Sequence, residues 1–183
     1  MIILTESYKK GKNMKRPNQE EYAPYYHRYI VLVPDGDIIK IMKKQIKELE
    51  KFCYGISPRK SLNRYAPDKW SIREVIGHII DTERIMAYRA LSIARNGQNN
   101  LPGFDQDEYV KNSNYNDIKL KNMVDEFCAV RTANIYLFKM LSEEVSERKG
   151  TTNNNPVSVR ALAYIMAGHA AHHMNVIKEK YLR

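Results

Sequence analysis

Two histidines one helical turn apart, His169 and His173, interrupt an apolar stripe near the end of the chain. The stripe reads Leu162, Ile165, Met166, then both histidines, then Val176 and Ile177. Residues at i and i+4 share a helix face, with side-chain roots about 6 Å apart. Burying two imidazoles side by side is costly unless they are hydrogen-bonded or share a ligand. A divalent metal removes that cost, because neutral imidazole is a good donor to zinc, nickel or iron(II). A pair of satisfied core histidines is the bland alternative, and spacing alone leaves both open. His78 offers a third donor from a separate helical segment, on the flank of its own apolar stripe. Three neutral histidines leave coordination positions open, which is the catalytic rather than the structural pattern.

The neighbours refine the chemistry. Ala170 follows His169, so the glutamate base of a His-Glu-x-x-His protease helix is missing. His172 lies about 100° around the helix from each neighbour, a boundary residue or a pocket group. Asp81, three residues after His78, can face the same side and orient a histidine or a water. A solvated or Arg-paired aspartate is the alternative. Asp81 and His172 are the candidates for steering protons. Glu83 falls mid-stripe and needs a cation, with Arg89, Arg131 and Arg160 available. Trp70, Tyr109 and Arg160 are candidate pocket residues by position.

Four helices must carry these groups. Ile38, Met42, Ile46, Leu49 and Cys53 recur at helical steps, which predicts a helix over about 37–53. Ser71-Ile-Arg-Glu74 is a capping box with Trp70 ahead of it, and the helix it opens should run to about Asn96-Gly97. A long connection follows, roughly 96–116, suggesting a crossover or a lid. Leu120, Val124, Phe127, Ile135, Phe138 and Leu141 predict a third helix over about 117–147. Gly150 to Pro156 breaks the chain, and the fourth helix covers about 157–182. No convincing strand is evident, and Tyr29–Val33 reads as a short extended lead-in. The fold class is all-α, a four-helix bundle whose topology need not be simple up-down.

Composition bounds the rest. The chain of 183 residues suits one compact domain, with 43% hydrophobic and 28% charged residues. No apolar run approaches the roughly 20 residues of a membrane span, and no signal-peptide pattern opens the chain. Cys53 and Cys128 read as core residues rather than a disulfide, and a cytoplasmic location is the default. The net charge of +9 owes much to Lys9, Lys10, Lys12, Lys15 and Arg16, set against Glu6 alone. Residues 1–16 are therefore expected to be a disordered basic tail, with the domain over 17–183. The remaining charges mix in sign along helices, so nucleic-acid binding is not favoured.

Three stretches carry a resemblance. Tyr65 to Arg84, with Trp70-Ser-Ile-Arg-Glu and Gly-His78 inside it, is one. Leu101-Pro-Gly-Phe-Asp-Gln-Asp-Glu-Tyr109 is the second. Ser158 to His173, with Gly-His169-Ala-Ala-His-His173, is the third. Together they resemble the DinB (DNA-damage-inducible) family, in its DinB-like subgroup, from about Glu21 to Leu182. The resemblance implies a four-helix bundle with crossover topology, often dimeric. It also implies a metal site of three histidines, which fall here on His78, His169 and His173. The family is related to bacillithiol- and mycothiol-dependent transferases. Two functions follow as expectations. One is a metal-dependent hydrolase or thiol transferase acting on a small molecule, possibly with a low-molecular-weight thiol as partner. The other is a non-catalytic dimeric stress-response protein whose metal, if any, staples helices.

Overall fold

The computed structural model describes residues 14–97 and 99–182. Helices dominate: α1 (His27–Ile30), α2 (Ile38–Tyr54), α3 (Ile72–Ala94), α4 (Gln106–Lys111), α5 (Leu120–Lys139), α6 (Glu143–Glu147) and α7 (Val159–Val176). A short hairpin pairs β1 (Lys149–Thr152) with β2 (Asn155–Ser158), Thr152 opposite Asn155.

Local chemistry starts three of the four long helices. The Asp37 carboxylate accepts from the backbone N–H groups of Ile39 and Lys40 at the head of α2. Ser71 accepts from Glu74 N–H while the Glu74 carboxylate accepts from Ser71 N–H, so the predicted capping box is made. Ser158 accepts from Ala161 N–H at the head of α7. Each cap satisfies donors that the first helical turn leaves without partners.

Helix order follows from two apolar clusters. One holds Ile38 and Met42 of α2, Met86 to Ala94 of α3, Ile135 and Phe138 of α5, and Val159 to Ala167 of α7. The other holds Leu49 and Cys53, Ile72 to Ile80, Leu120 to Phe127, and Ala170 and Met174. Thus α2 and α7 run from the first cluster to the second, and α3 and α5 run the opposite way. α2 packs on α5 and α7, and α3 packs on α7 and α5. Sequential neighbours α2 and α3 therefore occupy opposite corners, as do α5 and α7. The parallel pair α3 and α5 forces residues 95–119 to travel back along the bundle, about 30 Å for a helix of this length. That requirement explains the long connection. It is not structureless, since it carries α4 and a turn at Tyr115–Asp117.

Several boundaries differ from expectation. The third helix stops at Lys139, because Ser142 adopts an extended conformation and caps the separate helix α6 through Val145 N–H. The segment 150–156 is a hairpin rather than a plain break. Asn153 and Asn154 both take positive φ, 48° and 61°, the pair of left-handed residues that a two-residue β-turn needs. Tyr29 and Ile30 are helical and residues 31–33 form a turn, so the extended lead-in is absent. After Val176 the helix widens by one turn, over Ile177–Tyr181. Of the expected tail, residues 1–13 lie outside the described residues. Met14 is buried in the first cluster, and the Arg16 guanidinium donates to the carbonyls of Ile30 and Val33. Met14 and Arg16 thus pack on the bundle. No helix among the described residues is long and apolar enough to cross a membrane.

Candidate metal centre and its cavity

Two buried polar groups lie across the middle of the bundle, between the apolar clusters. The first is closed. Arg131, with 0% of its side chain exposed, donates from Nε and Nη2 to both oxygens of Glu83 at 2.9 and 2.6 Å. Its Nη1 donates to Gln45 Oε1 at 2.7 Å, and Asn134 donates to Glu83 Oε2 at 2.9 Å. Gln45 in turn donates to the Ala167 carbonyl at 2.8 Å. The cation sought for Glu83 is thus Arg131. The network spans α2, α3 and α5 and ends on the α7 backbone two residues before His169. Arg160 is not a pocket residue: it is buried against Glu21 and Glu147.

The second group is the histidine cluster. His78 reaches in from α3, and His169 and His173 from α7. His78 Nε2 lies 2.9 Å from His169 Nε2, which lies 3.1 Å from His173 Nε2. All three ring nitrogens fall within 4.8 Å of one another, and among the described residues this is a grouping suited to hold a metal ion. Metal–nitrogen bonds of about 2.0–2.1 Å place neighbouring ligand nitrogens roughly 3 Å apart, so the cluster needs little movement to close on an ion. Burial holds His78 neutral down to about 4. Burial, then the charges of His78, His172 and Arg28, holds His173 neutral down to about 2. Burial and the neighbouring rings push His169 well below its ordinary value. Three neutral rings aiming one nitrogen each at a common point form a donor set with no counter-charge, which a divalent cation fits.

Glycine precedes both His78 and His169, and in both places a neighbour occupies the space of a Cβ. At Gly168 a Cβ would lie 2.0 Å from the Tyr29 carbonyl oxygen. At Gly77 it would lie 2.3 Å from the Tyr115 ring. Glycine inside a helix costs about 1 kcal/mol relative to alanine. Here it lets α1 and the crossover lie directly on the helices that carry the ligands. The Tyr29 ring stands edge-on to His169 and His172, each at 5.3 Å, and Trp70 lies 4.9 Å from the His78 ring.

A cavity of about 310 Å³ opens onto the cluster. His78 and His169 form part of its wall, with Thr82, Met86 and Arg89 of α3, Ile165 of α7, Tyr26, Phe104 and the hairpin residues Asn153 and Asn155. The crossover and the hairpin therefore roof the site.

Asp81 does not reach a histidine. Its carboxylate accepts from Tyr115 Oη at 2.6 Å, and burial raises its pKa despite that bond. His172 is half-buried beside His173, its ring 5.0 Å away. Tyr109 packs on Phe104 at an adjacent hollow rather than on the cavity wall. Cys53 is buried, with its thiol pushed up to about 12 by that burial, whereas Cys128 is only half-buried. Sequence reasoning missed Gly77, Gly168, Tyr29, Thr82 and Arg89. The Gly-His pairs were the available signal, since glycine within a helix marks a close approach.

A small cluster of neutral histidines, open to a roofed cavity in a crossover bundle, marks a four-helix protein with a candidate metal site. The chain belongs to the DinB superfamily, whose family model matches residues 41–177. Among solved structures it is similar to YfiT from Bacillus subtilis, described as a probable metal-dependent hydrolase with an unusual four-helix bundle topology. The likeness has a TM-score of 0.69 at 13% identity, over 78% of this chain and 82% of that one. No curated protein matches the sequence significantly.

Proposed function

We propose that this protein is a metal-dependent enzyme, a hydrolase acting on a small molecule, with His78, His169 and His173 as metal ligands. The observation that carries the reading is that three neutral ring nitrogens lie together and two of the rings, His78 and His169, form part of a cavity wall instead of a sealed core. A staple between helices needs no such access, so the cavity counts against the non-catalytic reading. The description of YfiT supports the reaction class by analogy.

A divalent zinc, nickel or iron(II) ion would supply Lewis acidity at the cavity wall. The chain's own residues do the remaining work. The closed Glu83–Arg131 network holds the α7 backbone beside His169. Trp70 and Tyr29 flank the rings and limit water around them. Asp81 acts through Tyr115, which packs on Gly77 and so sets where α3 presents His78. His172, beside His173 and Tyr29, is the proposed group for steering protons at the edge of the site.

A thiol transferase is the second reading. It needs a small-molecule thiol from outside, because the raised thiol of buried Cys53 makes a poor nucleophile. We further propose a cytoplasmic homodimer. Tyr88 and Leu91 on α3, and Tyr136 and Met140 at α5, are exposed apolar groups on adjacent helices, and sedimentation equilibrium measures the assembly.

The deciding experiment is metal analysis by plasma mass spectrometry on untagged wild type and His169→Ala. About one equivalent in wild type and none in the variant supports the site. No metal in either, after incubation with zinc, nickel or iron(II), removes this proposal.

A further inference from the structure

The cavity has a second end. His78, Thr82, Met86 and Arg89 follow one another at four-, four- and three-residue steps along α3, so all line one face. Arg89 lies eleven residues beyond His78, about 16 Å along the helix axis. Its side chain leans back toward the helix start, as long helical side chains do, which shortens the span to on the order of 10 Å.

Arg89 is only 2% exposed. Its guanidinium donates to the Pro102 carbonyl at 2.6 Å and touches the Met86 sulfur at 3.6 Å. Among the described residues no carboxylate pairs with it. Of the other buried arginines, Arg131 has its glutamate, Arg160 has two, and Arg73 spreads its donors over the Ser61 hydroxyl and the Asn116 and Pro58 carbonyls; at Arg89, among the described residues, a single carbonyl takes one nitrogen. A buried guanidinium without a counter-ion is expensive, and a bound anion removes that expense. Thr82 points the same way. It is 3% exposed, lines the cavity, and its hydroxyl has no hydrogen-bond partner. Buried hydroxyls are almost always bonded, so one left open at a cavity wall is available to a ligand. Between them stand Met86, Ile165 and Phe104, which are apolar.

We propose that the cavity binds a small organic monocarboxylate, its carboxylate paired with Arg89, its apolar body against Met86, Ile165 and Phe104, and a polar group within reach of Thr82. One unit charge at Arg89 matches a monoanion, and no second basic side chain on the cavity wall calls for a dianion. This rests on the functional reading above, for it names the substrate class of that site. The carboxylate end would hold the molecule so that its reacting bond lies beside His78 and His169.

The test is calorimetric titration of hexanoate, with uncharged hexanamide as its matched control. Wild type, His169→Ala, Arg89→Gln, Arg89→Lys and Thr82→Val are compared, after thermal melts have shown that each is folded. Hexanoate should bind wild type at least tenfold more tightly than hexanamide. That preference should persist in metal-free His169→Ala, vanish in Arg89→Gln and be partly restored in Arg89→Lys. Thr82→Val keeps shape, should melt no lower than wild type and should bind hexanoate as wild type does, yet bind 6-hydroxyhexanoate, whose hydroxyl stands at the far end from the carboxylate, several-fold more weakly; equal binding of 6-hydroxyhexanoate by the two proteins removes Thr82 from the proposal. No binding, equal binding of acid and amide, or a preference indifferent to Arg89→Gln overturns the proposal. A preference lost in His169→Ala but kept in Arg89→Gln puts the carboxylate on the metal, which overturns the Arg89 assignment while supporting the metal site. A preference that depends on Arg89 in a protein that takes up no metal leaves the carboxylate pocket standing and removes the hydrolase reading.

Discussion

The Glu83–Arg131 group and the histidine cluster sit at the same depth in one bundle, yet they are built on opposite rules. In the first, both carboxylate oxygens and the guanidinium nitrogens find partners within the protein, and the glutamine that joins them passes on to the Ala167 carbonyl. In the second, the rings have one another and a cavity. Along that cavity the Thr82 hydroxyl has no hydrogen-bond partner, and Arg89 has a carbonyl but, among the described residues, no carboxylate. A bundle can satisfy buried polar groups when it has only to hold itself together. Where it leaves several unsatisfied along one wall, the missing partners belong to ligands.

The contrast can be broken by exchange of single residues. The largest effect is expected at the open group: His169→Ala should lose all bound metal while the protein remains folded, read by metal analysis beside a thermal melt. At the closed group the effects should be reversed. Arg131→Met leaves Glu83 buried and uncompensated, and should cost about 3–5 kcal/mol in urea unfolding. The double change Arg131→Met with Glu83→Leu should recover much of that loss, and the folded fraction of either should still bind metal. If Arg131→Met alone abolishes metal binding in fully folded protein, the two groups are not separable.

A smaller effect should follow from Gly168→Ala. The added carbon meets the Tyr29 backbone, so α1 must shift, at about 1–3 kcal/mol by analogy with overpacked cores. Metal affinity should fall with it if α1 helps to hold His169. Unchanged affinity would make α1 a roof only.

The mildest prediction concerns Glu21, which ties the N-terminal segment to α7. Burial alone would raise its pKa. The Arg160 guanidinium, Asn18 N–H and Ser158 hydroxyl outweigh that and hold it below its ordinary 4.5. The unfolded chain takes up the proton first as pH falls. The stabilisation is therefore complete above 4.5 and is lost as pH drops through the lower folded value. Glu21→Gln should cost on the order of 1 kcal/mol near neutral pH. That difference should shrink in melts taken below pH 4, and a constant difference would assign the effect to shape.

The legibility of these groups differs for physical reasons. The histidine cluster could be read because imidazoles inside an apolar stripe break a periodic pattern, and His169 and His173 do so one turn apart. Glu83 broke its stripe in the same way, but pattern could not choose among Arg89, Arg131 and Arg160, since each meets α3 only through folding or through its own helix. Asp81 shared a face with His78 by spacing, and Tyr115, brought over by the crossover, took its hydrogen bond. The hairpin was hidden because a stretch of glycine, threonine and asparagine satisfies loop and turn alike until its two flanks find each other.

The sequence by itself determined four amphipathic helices, the Ser71 capping box, and the three histidines, because helical periodicity and side-chain-to-backbone bonds act over only a few residues. Tertiary structure decided the rest. Parallel packing of α3 on α5 required a connection the length of the bundle. That connection and the hairpin roof a cavity whose wall joins His78 to Thr82 and Arg89. Whether a buried arginine has a counter-ion depends on residues far away in the chain, and no local pattern reports it.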